Sequence, residues 1–284
     1  MDITKTINFF NLLFGRIPIS HFSYLMIFSN GYGNTYPFAI ADENQRKYMA
    51  RKAIELSSKG FDVWHAVNPV CIEPTSNKRG DETTVSYQTA IVVDIDICSD
   101  AHKSDNLAQS FEEAKSFLPF TPSIIINSGY GLHAYYIWAE PLAITDQNRD
   151  EIKRRNNRLL DVVRQKANGK KIDGVGDLPR ILRTPGTFNY KLGKENPPLC
   201  HIVEQNDLLF SPAQRHRLIS IRCRCSLLAE EIEGGHRVQD CFINVSSLQP
   251  QLGISPLPLA PVLFPVILRY DGISIPVIGI RHSN

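Results

Sequence analysis

Two aspartates at the end of a hydrophobic run have the spacing that most clearly indicates chemistry. Asp94 and Asp96 follow the apolar residues 90–93. Because alternate side chains of a β-strand point to one face, the two carboxylates are expected on the same face, ~7 Å apart along the chain. Paired carboxylates of this kind bridge two metal ions in phosphoryl transfer. An exposed turn after a strand is the alternative for a lone D-x-D motif, so the interpretation depends on the motifs downstream.

A second motif, S-G-Y-G-L-H-A-Y, occupies residues 128–135 and joins a glycine-containing turn to a strand. Glycines allow a backbone to approach a ligand closely. Alternation places His133, Tyr135 and Ile137 on one face of that strand. With the aspartates expected on a neighbouring strand, His133 is predicted to contact a nucleotide phosphate. A structural, hydrogen-bonding histidine is the alternative.

A third motif at residues 172–191 reads I-D-G-V-G-D-L-P-R-I-L-R-T-P-G-T-F-N-Y-K. Asp173 supplies a further carboxylate, and Arg180 and Arg183 follow at a three-residue step. Guanidinium groups fork around phosphate oxygens and do not titrate, which suits a triphosphate ligand. Asp177 fits either a helix or turn cap or a metal-facing position.

The end of the third motif and an upstream loop add candidate nucleotide contacts. A turn formed by P-G-T is predicted to direct Asn189 and Lys191 back toward the same cleft. In the polar loop at residues 73–83, Arg79 and Lys78 are predicted either to reach the nucleotide or template or to be solvated. Neither alternative is favoured by the sequence.

The elements that must position these motifs alternate between helix and strand. Helices are predicted at residues 1–15, 42–58, 106–118 and 146–167, and strands at residues 23–29, 61–67, 85–97, 124–126 and 132–138. The last two strands flank a glycine-containing turn and indicate a hairpin. This order predicts an α/β or α+β domain with a mixed sheet.

Composition sets only broad limits. The chain has 284 residues, 43% hydrophobic and 21% charged, as in an ordinary globular protein. Its net charge of +2 neither demands nor excludes a nucleic-acid partner. The sequence shows no secretory signal pattern, and the six cysteines follow no disulfide spacing, so a cytoplasmic location with reduced thiols is expected.

The character of the sequence changes after residue 218, and we predict a catalytic domain at residues 1–218 followed by a proline-rich tail at 219–284. No acidic or basic residue occurs at 242–268, but five prolines lie there, so a membrane-spanning helix is not expected. No fold is predicted for the tail. It contains a set of residues that could bind zinc, although their spacing favours unpaired thiols: Cys223, Cys225, His236 and Cys241.

The order of the three motifs resembles the archaeo-eukaryotic primase superfamily, and within it the primase-polymerase domains of plasmids, phages and other mobile elements. The resemblance covers residues 22–218. It implies a two-lobed α/β (α+β) fold with an RRM-like catalytic half and a mixed sheet. It also implies that two Mg²⁺ or Mn²⁺ ions are held by Asp94, Asp96 and Asp173.

In the same family the motif histidine, here His133, is catalytic and binds the phosphates of the incoming nucleotide, and the arginines corresponding to Arg180 and Arg183 line its pocket. The sequence departs from the family because its S-x-H element reads G-L-H, with Ser128 lying further upstream as a candidate nucleotide contact. No helicase segment follows, so a separate helicase is the expected partner.

The predicted function is template-directed nucleotidyl transfer, as in a DNA primase or polymerase, with nucleoside triphosphates on single-stranded DNA. The basic surface of the predicted helix at residues 146–167 could follow the template backbone, the alternative being a solvated face. Two further alternatives stay open. One is a non-catalytic nucleic-acid-binding replication initiator, and the other is a metal-dependent nuclease.

Overall fold

The computed structural model describes residues 2–18, 20–29, 32–211, 262–270 and 273–281. The chain divides into two compact units, Met1–Glu231 and Ile232–Asn284. The predicted domain boundary after residue 218 and the four candidate zinc ligands lie outside the described residues. Within the described residues, no helix has the length and apolar character needed to cross a bilayer.

The first unit is an α+β structure, as predicted. In chain order its described elements are α1 (Ile3–Phe14), β1 (Phe22–Ser29), β2 (Tyr32–Ala39), α2 (Glu43–Ser58), β3 (Trp64–Ala66), β4 (Tyr87–Asp96), α3 (Phe111–Ser116), β5 (Ile124–Asn127), β6 (Gly131–Ala143), α4 (Arg149–Lys166), β7 (Ile181–Arg183) and β8 (His201–Gln205). These strands form two four-stranded sheets, ordered β2-β1-β3-β7 and β4-β6-β5-β8.

The first sheet shares the main hydrophobic core with α1 and α2. Leu25 and Ile27 of β1 lie in that core with Phe10 of α1 and Met49 of α2. Helix α2 begins where the sequence predicts, because the Asp42 carboxylate accepts a hydrogen bond of 2.8 Å from the Asn44 backbone N–H. The first sheet is therefore closed on one face by helices.

The prediction of a mixed sheet is wrong, because every pairing among strands β1 to β8 is antiparallel. Strands β4 and β5 run in the same direction and are joined through α3, but β6 lies between them. This is the split β-α-β arrangement. A strand-helix-strand order in the sequence indicates a hydrogen-bonded parallel pair only when no third strand lies between the two strands.

Several element boundaries differ from the predicted ones. The predicted helix at 106–118 is helical only at Phe111–Ser116, because Ser110 caps it by accepting from the Glu113 backbone N–H. Strands β2, β7 and β8 were not predicted. In the second unit, β9 (Val262–Tyr270) and β10 (Ile273–Arg281) form an antiparallel pair, although no fold was predicted for this proline-rich tail.

Candidate active site

The three sequence motifs converge on one open cleft of ≈ 270 Å³. Nine of the candidate residues line it: Asp94, Asp96, Ser128, His133, Asp173, Arg180, Arg183, Asn189 and Lys191. Trp64, His102 and Tyr130 line it as well, and none of these was predicted as a site residue. Arg79 and Asp177 are not among the lining residues. Arg79 is exposed on the loop beside Tyr24.

The register of β4 against β6 places Asp94 beside His133. The two residues are directly opposite in the antiparallel pair, as are Asp96 and Gly131. Opposed residues of an antiparallel pair point to the same face, so both carboxylates and the imidazole face the cleft. The His133 Nε2 lies 3.5 Å from Asp94 Oδ1. A Cβ atom at Gly131 would lie 2.8 Å from the Ile95 carbonyl oxygen, so this position leaves no room for a side chain.

The carboxylates repel one another. Burial raises the pKa of Asp94 to about 7, and the negative charges of Asp96 and Asp173 contribute to this rise. Burial also raises the pKa of Asp96, an effect that His102 opposes and Asp173 reinforces. Clustered acidic groups with raised pKa values are typical of functional sites, where a bound cation relieves the repulsion.

The donor set fits a hard divalent cation. Carboxylate oxygens are the ligands that Mg²⁺ and Mn²⁺ prefer. Asp94, Asp96 and Asp173 provide them in one cleft. In the described part of the chain, no three His, Cys, Asp or Glu side chains are arranged as a complete metal-binding set. The carboxylates thus share a cleft without converging on a single point.

His133 is almost fully buried, with 4% of its surface exposed, and its Nδ1 has no hydrogen-bond partner. Burial lowers the pKa of this imidazole to about 3, and the positive charge of Arg183 acts in the same direction. At neutral pH the ring is therefore uncharged. His133 can offer a phosphate an N–H donor but no positive charge.

Arg183, on strand β7 of the first sheet, provides a fixed positive charge at the cleft. It lies across from Trp64 in the pairing of β3 with β7, and its guanidinium carbon is 4.9 Å from the centre of the Trp64 ring. The same guanidinium forms an ion pair with Asp62. Asp62 also accepts a hydrogen bond of 2.8 Å from the Tyr190 backbone N–H. Stacking and ion pairing together hold the Arg183 group at the cleft before any ligand binds.

Asp177 holds the second arginine. Arg180 Nε donates to Asp177 Oδ1 at 2.8 Å, and Arg180 Nη2 donates to the Gly174 carbonyl at 2.9 Å. Of the two interpretations of Asp177, the structure therefore favours the structural one. Asp177 acts on the cleft through Arg180.

If the cleft binds a nucleotide, as the resemblance of the motifs implies, an Asp177→Asn substitution should weaken that binding without abolishing turnover. The amide keeps the shape of the side chain but loses the charge that fixes Arg180, at a cost of ~0.2–1 kcal/mol for a partly exposed pair. We expect KM for the nucleotide to rise by about 1.5- to 5-fold with kcat retained. Steady-state kinetics would test this, and a kcat loss as large as that of a carboxylate variant would contradict it.

The end of the third motif is tied to the second motif by hydrogen bonds. Asn189 Nδ2 donates to the Ser128 carbonyl oxygen at 2.7 Å, and Asn189 Oδ1 accepts from the Lys191 backbone N–H at 3.1 Å. Gly129, which follows Ser128, has a φ of +100°, a backbone conformation that favours glycine. Asn189 therefore has a bonding role between the two motifs as well as a position on the cleft.

His102 links Lys191 to the carboxylates. Its Nε2 lies 3.2 Å from Asp96 Oδ1 and 2.7 Å from Lys191 Nζ. Because one nitrogen cannot donate to Asp96 and accept from Lys191 at the same time, the tautomer selects one of these contacts. No sequence pattern marks His102, since it lies in an irregular loop beyond β4.

The basic face of α4 is largely balanced by acidic neighbours. Arg154 and Arg155 both pair with Glu151, at 3.0 and 2.9 Å. Lys153 pairs with Glu82, and Arg164 pairs with Asp161. These contacts support the solvated-face alternative for the four side chains, while contact with a template backbone stays a prediction.

The described architecture shares its fold with a solved primase-polymerase domain, which confirms the predicted α+β fold apart from its mixed sheet. The AEP domain of the cyanophage S-2L primase-polymerase matches with a TM-score of 0.51 and 13% sequence identity, over 77% of this chain and 98% of that domain. The crystal structure of primase RepB′ matches with a TM-score of 0.44 and 13% sequence identity, over 80% of this chain and 66% of that one. The catalytic domain of primase RepB′ in complex with initiator DNA matches with a TM-score of 0.42 and 14% sequence identity, over 81% of this chain and 99% of that domain. No family model and no curated protein matches the sequence.

Proposed function

We propose that this chain is a template-directed nucleotidyltransferase that makes or extends strands on single-stranded DNA from nucleoside triphosphates. One observation carries the proposal. Three carboxylates and three cationic side chains, Arg180, Arg183 and Lys191, line the same cleft, although two of the carboxylates lie far from the third motif in the sequence. An acidic group supports metal binding, and the cations suit the phosphates of a nucleotide.

In this proposal Asp94, Asp96 and Asp173 hold two Mg²⁺ or Mn²⁺ ions. Bound there, the metal would supply activation of a 3′-hydroxyl and charge neutralisation at a leaving pyrophosphate. Arg183, fixed by Asp62 and Trp64, holds the triphosphate. His133 donates a neutral hydrogen bond from the same face as Asp94. The protein mainly positions and stabilises charge, as phosphoryl transfer requires.

The three cationic side chains that share the cleft with the carboxylates favour this function over the two alternatives. A nuclease has no need of a triphosphate site, and an initiator that only binds DNA has no need of a metal-binding cleft. Template use, a separate helicase partner and a cytoplasmic location remain parts of the proposal.

The proposal is tested with purified full-length protein, Mn²⁺, labelled nucleotides and single-stranded homopolymer templates. We expect each template to direct incorporation of its complementary nucleotide only, because pairing with the template selects the substrate. The same reactions are analysed for template degradation. Incorporation that ignores template sequence, or degradation without incorporation, would contradict the proposal.

A further inference from the structure

One face of the first sheet carries a row of side chains that leads out of the cleft. Met26, Trp64 and Arg183 are opposite one another across β1, β3 and β7. Residues opposite each other in antiparallel strands share a face, and Phe28 is two residues beyond Met26 on β1. Phe28, Trp64 and Arg183 therefore lie on the same face, which is opposite to the face that carries Leu25 and Ile27.

This face is covered at one end and open at the other. Tyr24 and Met26 are buried in a second hydrophobic cluster with Val70, Val85 and Leu178. Phe28, in contrast, is 47% exposed. Its cross-strand neighbour is Gly33, which has no side chain to cover the ring. A large aromatic ring thus remains accessible beside the covered part of the sheet.

The open end is continuous with the candidate active site. The Phe28 and Trp64 rings are 5.1 Å apart in an edge-to-face arrangement, and Trp64 lines the cleft. Basic residues also lie beside the covered part of this face, where Arg79 is close to Tyr24. The Thr35 backbone N–H of β2 donates to the Ser76 carbonyl oxygen at 2.9 Å, which holds the loop bearing the exposed Lys78 and Arg79 against edge strand β2. An accessible aromatic ring next to a cleft that carries cationic groups is typical of surfaces that bind single strands.

We propose that Phe28 and Trp64 form a stacking platform for bases of the single-stranded DNA template as it enters the cleft. The inference rests on the proposed function and names where its template binds. A nucleotide whose phosphates contact Arg183 lies at the Trp64 end of the platform. Phe28 lies further out, so its ring serves a base of a longer strand. Stacking on such a ring is tolerant of sequence, because every base has an aromatic face.

The test measures binding of a fluorescein-labelled single-stranded oligodeoxynucleotide to the full chain in EDTA, where no incorporation occurs. We expect Phe28→Ala to raise Kd by about 5- to 150-fold, the range for losing one base–aromatic stack. Phe28→Tyr should restore binding. Tyr48→Ala removes an aromatic side chain that is 52% exposed on α2 and should leave Kd unchanged. The dependence of Kd on salt should be the same in wild type and Phe28→Ala, because no charge is lost.

Tryptophan fluorescence supplies a second readout. The chain has two tryptophans, Trp64 in the cleft and Trp138, which is 1% exposed. DNA should quench the emission of the wild type but not that of Trp64→Phe. Equal Kd values for wild type and Phe28→Ala, equal losses in Phe28→Ala and Tyr48→Ala, or Phe28-dependent binding of the matching RNA but not of DNA would overturn the inference. If the protein binds DNA through Phe28 yet incorporates no nucleotide, the base-stacking surface stands and the proposed function fails.

Discussion

Replacing Asp94 or Asp96 with Asn should reduce nucleotide incorporation by at least about 10³-fold, the upper end of the range for losing one preorganised electrostatic group. Both carboxylates face the cleft from β4, and no neighbouring acidic group on that strand can replace either of them. Incorporation of labelled nucleotide at saturating Mn²⁺ measures the loss. The same substitution at Asp173 should have a comparable effect, because it completes the acidic group from a different segment.

The same variants should become more stable to heat in EDTA, since each removes a charge from a group of mutually repelling carboxylates. Mn²⁺ should raise the melting temperature of the wild type and have less effect on the variants, because a ligand stabilises only the state that binds it. Asp100→Asn is the matched control, since that side chain is 84% exposed and pairs with Lys103. Incorporation by Asp94→Asn at the level of Asp100→Asn would contradict the account.

The second large effect is expected at Arg183. Arg183→Ala should lower kcat/KM by about 10²- to 10³-fold, because the charge proposed to hold the triphosphate is lost from a preorganised position. Arg183→Lys should rescue little, since an ammonium group cannot both pair with Asp62 and stack on Trp64 as the planar guanidinium does. Single-turnover kinetics with a primed template and varied nucleotide would measure both variants.

Two further measurements control for folding. Arg183 is almost buried, so its removal leaves Asp62 without its ion-pair partner and destabilises the protein. Far-UV circular dichroism and the melting temperature show whether each variant is folded under the conditions of the assay. Asp62→Asn keeps the guanidinium and should lose less activity than Arg183→Ala. A wild-type KM and kcat in folded Arg183→Lys would refute the role assigned to this arginine.

The sequence predicted the central part of the site because that part is local. An apolar run followed by Asp94 and Asp96 defines a buried strand, and the glycine turn before His133 defines a hairpin. Their alternation also predicts which face each side chain takes. That β4 pairs with β6, and so places Asp94 opposite His133, follows from the fold and not from the motif spacing.

Other parts of the site depend on tertiary contacts that no local pattern encodes. Trp64 reaches the cleft because β3 pairs with β7, a strand of three residues that is too short to show a periodicity. His102 reaches Asp96 from an irregular loop. The mixed sheet was predicted wrongly for a related reason, since the insertion of β6 between β4 and β5 leaves no trace in the order of elements.

The tail shows the limit of reading strands from alternation. Pro265 and Pro276 lie within β9 and β10, where a sequence pattern argues against a strand. In a two-stranded pair each strand has one edge without hydrogen bonds, and proline is tolerated there because its missing N–H is not needed. A propensity argument could not have distinguished this hairpin from an irregular segment.

The most direct test of the central claim is the anomalous diffraction of Mn²⁺ in crystals grown with a non-hydrolysable nucleoside triphosphate. The account predicts manganese peaks bounded by the carboxylates of Asp94, Asp96 and Asp173, with the triphosphate contacting Arg183. Manganese bound elsewhere, or a triphosphate that lies away from the arginines while the carboxylates bind no metal, would contradict it.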